Sequence, residues 1–354
     1  MNPRIKSLKK RLNTDLALFV NKDQHPNPNF LYFTKRTNVS GILVIPKESK
    51  EFLLTNTRDY EKAKNSNLKT FKFEKAKQSF EYLSEILDKK KIKTDSIGID
   101  KENFNLLVYE KLKKQLKGKY EDLSQICKDI RIKKSELELK YLKKACKITD
   151  DVFSRMLANF NFHKEIEIKN FIEIEIKKQN ADISFPPIAA SGKNSSVPHY
   201  DKLQRLKKGF LIMDFGAKYK GYHADMTRTI YLGKPSKKEI EMYDLVLSVQ
   251  EKCLEKINSE MKCSDLFEFA ADEFGKYFEK FIHGLGHGVG LEIHEKPNIG
   301  PESDDVFHKN SVITIEPGLY FENRFGIRIE DTVLLDDKVK RLTKSDKRLF
   351  VVGF

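Results

Sequence analysis

Cysteine is scarce and scattered: Cys127, Cys146, Cys253 and Cys263 are the only four in 354 residues, and no two stand at a C-x-x-C spacing. That excludes a disulfide framework and a thiolate zinc knuckle, and leaves ordinary packing as their role. Long apolar runs are missing too. Stretches such as residues 16–20 and 41–46 fall far short of the roughly 20 residues that cross a bilayer. Asp15 and Asn21-Lys22 interrupt the basic N-terminus before it could act as a signal-peptide core. The protein is therefore expected to be cytoplasmic, with no membrane partner. Acidic residues are outnumbered, 52 against 66 Lys and Arg, for a net charge of +14. The lysine clusters at 6–11, 89–93 and 111–119 nevertheless lie within or beside amphipathic helical patterns without interleaved aromatics. They read as solvated faces, and no nucleic-acid partner is expected. Tandem repeats, a Gly-rich phosphate loop and an H-E-x-x-H motif are all absent.

What is present describes a soluble globular chain, 39% hydrophobic and 33% charged, with a length that suggests about two domains. Residues 1–130 alternate short apolar runs with helical patterns, as an α/β domain does. Strands are expected at 16–20, 30–34, 41–45, 51–55 and 96–99, with helices at 58–64, 79–87 and 106–116. No group there stands at metal-ligand spacing, so this domain reads as a support or an oligomer contact. Residues 131–354 read as α+β. Ser135 with Glu138 forms a capping box. Tyr141, Ala145, Ile148, Val152 and Met156 then recur at helical steps. Further helices are expected at 164–178, 237–257 and 264–278.

Chemistry concentrates in three stretches. Residues 211–216 and 223–231 read as a hairpin that carries Asp214 and Asp225. A turn centred on Tyr219-Lys220 sets the two acids opposite each other, whereas one centred on Lys220-Gly221 sets Asp214 opposite Thr227. Residues 312–320 and 326–334 form a second hairpin about Asn323, in which Glu316 faces Glu330. Facing like charges are destabilising in a sheet, and burying them unpaired is costly. Something positive should lie between them. The run 281–295 adds His283, His287 and His294, with Gly284, Gly286, Gly288 and Gly290. That much glycine argues against a helix and for extended backbone approached closely by another group. The charge of the four acids would be balanced by two divalent cations, with a neutral imidazole completing the set. Oxygen-rich ligation favours Mn²⁺, Co²⁺ or Fe²⁺, and two ions about 3.5 Å apart would activate a shared water for hydrolysis.

These blocks, together with Phe185-Pro186-Pro187, Pro198-His199-Tyr200, Met213-Asp214-Phe215-Gly216, Asp225-Met226-Thr227-Arg228-Thr229, Ile315-Glu316-Pro317-Gly318 and Arg328-Ile329-Glu330-Asp331, resemble the pita-bread metallopeptidases. The likeness is to their Xaa-Pro branch, aminopeptidase P and prolidase. The resemblance implies a pita-bread C-terminal catalytic domain behind a creatinase-type, ribonuclease-H-like N-terminal domain, assembled as a homodimer. It implies that Asp214, Asp225, His287, Glu316 and Glu330 hold two divalent ions, Mn²⁺ or Co²⁺ first and Fe²⁺ or Zn²⁺ next. A hydroxide bridging the ions would attack the Xaa-Pro bond, with Glu316 handling its proton. His294 would stabilise the tetrahedral intermediate, His199 would contact the substrate near the scissile bond, and His283 and Arg328 would shape the proline pocket. A methionine aminopeptidase-like enzyme is disfavoured by the preceding α/β domain and by Arg328-Ile329-Glu330-Asp331, and a non-catalytic pita-bread binding protein by the intact ligands. Two departures stand out. Asn310-Ser311 replaces the usual glycine turn, which Asn tolerates at positive φ. His223 stands two residues before Asp225, either as an extra polar neighbour or as a solvent-exposed side chain.

Overall fold

A computed structural model describes residues 2–22, 24–35, 37–75 and 78–354. The chain divides into two compact units, one ending at Arg131 and one running from Ile132 to Phe354.

The first unit is built on a six-stranded sheet in the order Lys69–Phe73, Phe52–Asn56, Gly41–Pro46, Leu16–Asn21, Ser96–Ile99, Lys119–Asp122. Leu16–Asn21 and Gly41–Pro46 pair antiparallel at its centre, and both are almost wholly buried, as continuous apolar strands require. The two edge strands, Lys-Thr-Phe-Lys-Phe and Lys-Tyr-Glu-Asp, are not among the expected elements. Their charged residues mask the strand pattern, and the same charges keep an exposed sheet edge from pairing with other chains. Residues 30–34 are not a strand. Asn27 accepts hydrogen bonds from the N–H groups of Asn29 and Phe30, Pro28 occupies the first turn, and the chain forms the helix Pro28–Phe33. The Asn-Pro start overrides the strand preference of an aromatic run. Helix Pro3–Arg11, capped by Asn2 and ending on Lys9, Lys10 and Arg11, places its cations where the helix dipole favours them.

The second unit repeats one construction. Helices Glu136–Ala158 and Glu165–Lys178 pack against strands Ile188–Ser191, Gly209–Phe215 and Met226–Leu232, through a core that includes Ile148, Val152, Ile172, Met213 and Ile230. Helices Lys237–Lys256 and Cys263–Phe274 cover Gly286–Gly288, Val312–Ile315 and Asp331–Leu335, through Val246, Val249, Leu266, Ile313 and Val333. Each such buried aliphatic contributes about 1.5–3 kcal/mol over its exposed state. The Glu138 carboxylate accepts from both the backbone N–H and the hydroxyl of Ser135, which starts the first helix where the capping box predicts. The last helix stops at Phe274 instead of reaching residue 278, because Gly275 turns to a φ of 49°. Asn310 does adopt a φ of 66°. Among the described residues, no helix is long and apolar enough to cross a membrane.

Candidate metal centre and active site

Two ribbons carry the acids. In the first, Asp214 pairs with Thr227, so a turn centred on Tyr219-Lys220 is ruled out. Lys220 and Gly221 both have positive φ, which is the requirement of a two-residue hairpin turn matched to strand twist. Asp225 falls just before the strand Met226–Leu232 and lies on the same face as Asp214 as a diagonal neighbour. The second ribbon keeps one register on both sides of the glutamates: Ile315 pairs with Asp331 and Gly318 with Arg328, which brackets Glu316 and Glu330 as expected. The ribbons are joined to each other side by side. Thr227 Oγ1 donates to Glu330 Oε2 at 2.7 Å, the Glu330 N–H donates to Thr227 O at 3.1 Å, and Thr229 Oγ1 donates to Arg328 O at 2.8 Å.

His287 arrives from the glycine-rich run. Its Nδ1 lies 3.0 Å from the carbonyl of Gly288, so Nδ1 carries the proton and Nε2 keeps its lone pair, the orientation seen when a histidine serves a metal. Nε2 stands 3.6 Å from Asp225 Oδ2 and 3.5 Å from Glu316 Oε1. The glycines are there for close approach. A Cβ on Gly286 would sit 2.1 Å from Thr314 O, and one on Gly288 would sit 2.1 Å from Lys296 O. Gly286→Ala is therefore expected to destabilise the protein by about 1–3 kcal/mol and to weaken Mn²⁺ binding. Thermal melts with and without Mn²⁺ check this; an unchanged melting temperature would show that the strand yields freely.

The acids have no counter-charge equal to their number. Ligand atoms of Asp225, His287 and Glu330 lie within 4.8 Å of one another, with Glu316 beside His287. Burial raises the pKa of Asp225 well above the usual range, reinforced by Glu330, Asp214 and Glu316. Glu330 is raised the same way by burial, then by Glu316 and Asp214. Burial also raises Glu316, with His283 and Arg328 working against it. Asp214 gives one oxygen to Arg328 Nη2 at 2.7 Å. Asp214 Oδ1 and Asp225 Oδ1 are buried with no hydrogen-bond partner. Orphaned carboxylate oxygens in a cluster that also holds the His287 imidazole are the donor set a divalent cation needs, and the residues fit one. Burial lowers the pKa of His287 as well, which keeps the ring neutral for ligation.

The remaining candidates line the same region. Arg328 is buried, and its Nε donates to Thr227 Oγ1 at 3.0 Å and its Nη1 to Tyr320 Oη at 2.6 Å. Burial opposes its charge, yet Tyr320 and the carboxylates of Asp214, Glu316 and Glu330 outweigh that and raise its pKa. His283 Nε2 is 3.1 Å from Tyr320 Oη. The rings of His287 and His294 are 4.3 Å apart. His294 and His199 are exposed, and His199 is near enough to His283 and His294 for its charge to weigh on both. His223 is buried, so the solvent-exposed reading fails. Its surroundings are Lys218, Glu295 and the Ser184 and Leu291 backbone, and burial, with help from Lys218, lowers its pKa to about 3. Tyr320, Thr227 and Thr332 went unrecognised in the sequence. Hydroxyls inside apolar strands signal nothing until the partner ribbon is in place.

The model of metallopeptidase family M24 matches residues 140–337, and that of the creatinase/prolidase N-terminal domain matches residues 4–133. The Xaa-Pro dipeptidase of Pyrococcus furiosus is 35% identical over 333 residues, covering 91% of this chain and 92% of its own. The structure of an Xaa-Pro dipeptidase from Bacillus anthracis superposes with a TM-score of 0.90 at 30% identity, covering 99% of this chain and 98% of that one. The X-Pro aminopeptidase of Thermotoga maritima gives 0.91 at 29% identity, covering 98% and 100%. With the M24 model spanning more than half of its length and carrying all of the converging acids, the chain belongs to metallopeptidase family M24.

Proposed function

We propose that the protein is a metal-dependent exopeptidase that hydrolyses Xaa-Pro bonds, with Asp214, Asp225, His287, Glu316 and Glu330 as the ligands of two divalent ions, Mn²⁺ or Co²⁺ first. The observation that carries this reading is the convergence of buried acids, two of them with orphaned oxygens, on a histidine held in its ligating tautomer. Bound there, such ions would lower the pKa of a water and polarise the scissile carbonyl. The rest falls to the chain's own groups. Glu316, whose pKa burial raises, takes the proton from the nucleophilic water. His294 donates towards the developing oxyanion, and His199 meets the substrate beside it. Both histidines are exposed. Proline offers no amide N–H and a fixed φ, so its ring must be held by shape. The buried wall of His283, Tyr320 and Arg328 suits that task.

Dipeptide and longer substrates are separated by direct comparison. With Mn²⁺ supplied, a Leu-Pro dipeptide is expected to be cleaved at least as fast as Leu-Pro-Pro-Gly. Cleavage of the tetrapeptide alone would assign an aminopeptidase, and silence on both with metal bound would remove the enzyme reading. We also propose a cytoplasmic location. All four cysteines are free and buried, and burial pushes the Cys253 and Cys263 thiols up to about 12, so they need no oxidising compartment. The first unit serves as the support of a homodimer. Its helix Leu106–Gln115 leaves Leu106 and Leu107 exposed at 73% and 65%, and sedimentation of Leu107→Glu against wild type tests that contact.

A further inference from the structure

Behind the acid cluster lies a polar node that the proposed chemistry does not use. Asp331 is fully buried next to Glu330, and side chains from separate segments converge on it. Arg228 Nη2 is 2.7 Å from Asp331 Oδ1, and Thr343 Oγ1 donates to the same oxygen at 2.9 Å. On Oδ2, Gln250 Nε2 donates at 3.2 Å, while Arg341 Nε and Lys347 Nζ stand at 3.3 and 3.7 Å. Lys347 is shared with Glu251 at 3.4 Å, but the arginines still exceed what one carboxylate requires. Their other bonds explain the excess. The Arg228 guanidinium also donates to the carbonyls of Thr227 at 2.9 Å, Ser345 at 2.9 Å and Asp346 at 3.2 Å, and to that of Glu330. One planar fork thus grips both ribbons at the ligand Glu330 and the segment 345–346 besides. Thr332, on the other side of Asp331, donates to Asp225 O at 2.6 Å and accepts the Asp225 N–H at 3.2 Å.

We propose that Arg228 and Asp331 are positioning residues that hold Glu330, and through Thr332 hold Asp225, at the spacing a divalent cation needs, and that they couple cation loading to the docking of residues 343–347. The proposal rests on the metallopeptidase reading above. Desolvation offsets most of what a buried ion pair contributes to stability, so a pair this deeply buried, 1% and 0% exposed, is poorly explained as a mere staple. A lysine could not replace the arginine, since an ammonium cannot reach four carbonyls and a carboxylate in one plane.

The test is calorimetric titration of Mn²⁺, without substrate, into metal-free wild type, Arg228→Lys, Asp331→Asn and Ile172→Val. Arg228→Lys and Asp331→Asn are expected to bind about 10–100-fold more weakly, as loss of a ligand's outer partner does, with KM for Leu-Pro unchanged at saturating Mn²⁺. Ile172→Val thins the core beneath the helix Glu165–Lys178, outside the node and the segment 343–347, and is expected to melt lower yet keep the wild-type isotherm. A folded Arg228→Lys or Asp331→Asn with the wild-type isotherm overturns the proposal. So does an Ile172→Val loss as large as theirs, which would mark a general structural effect. Absence of binding by wild type would instead defeat the metallopeptidase reading itself. If neither variant folds, hydrogen exchange on wild type decides: Mn²⁺ should slow exchange across residues 343–348, and unchanged exchange overturns the coupling.

Discussion

Glu316→Gln is expected to lower kcat on a Leu-Pro dipeptide by about 10²–10⁴-fold while leaving KM nearly where it was at saturating Mn²⁺. The amide keeps an oxygen at the same position, 3.5 Å from His287 Nε2 and within reach of Thr314 Oγ1 at 3.3 Å. It cannot accept a proton. Burial lifts the Glu316 pKa while His283 and Arg328 restrain it, so burial makes the carboxylate a better proton acceptor than an exposed one. Metal content has to be measured alongside the rates, because the same oxygen is a proposed ligand. A variant that retains its metal and loses less than tenfold in kcat would assign the proton transfer elsewhere.

Asp225→Asn should produce two opposite results. Metal-free, the variant is expected to melt higher than wild type, because it deletes one of several buried charges that repel one another. With Mn²⁺ the order should reverse, since wild type gains about 2.7 kcal/mol at a metal concentration 100 times Kd and the variant gains far less. The pH dependence follows the same logic. The folded-state pKa values of Asp225 and Glu330 are raised above unfolded values of about 3.9 and 4.3. Their favourable contribution is thus present in full below those unfolded values and lost as pH rises through the raised ones. Chelated wild type should gain stability on moving from neutral pH towards pH 5, whereas the Mn²⁺-loaded protein should lose it, because the cation needs deprotonated ligands. Melting curves across pH, with chelator and with Mn²⁺, test both. Parallel curves would mean that the acids are compensated without a cation.

The second ribbon was legible because the same register holds on both sides of its two glutamates, from Val312 with Leu334 to Phe321 with Phe325, so the midpoint at Asn323 fixes the pairs. The first was ambiguous by one turn position. Only the paired positive φ angles of Lys220 and Gly221 decide it, and a lysine in that conformation is not what composition suggests. In the first unit the Lys-rich edge strands hid behind their charge, and the aromatic run at 30–33 hid a helix that depends on the cap at Asn27. The histidine run and its alternating glycines pointed to close backbone approach, which the contacts at Gly286 and Gly288 bear out. What pattern alone could not reveal were the groups that act across the ribbons: Tyr320 between His283 and Arg328, and Thr227 and Thr332 on Glu330 and Asp225. Their partners lie up to 107 positions away in the chain, beyond the reach of any local periodicity.

The joining of the ribbons by threonine also governs when the centre can exist during synthesis. Thr227 and Glu330 are 103 positions apart, so a nascent polypeptide that has already laid down Asp214 and Asp225 holds only half a cradle until the second ribbon emerges. Until then the earlier acids lack Glu316 and Glu330, and the proposed ion site can be completed only once that long-range pairing has formed. An incomplete chain therefore has no peptidase centre with which to act on its neighbours.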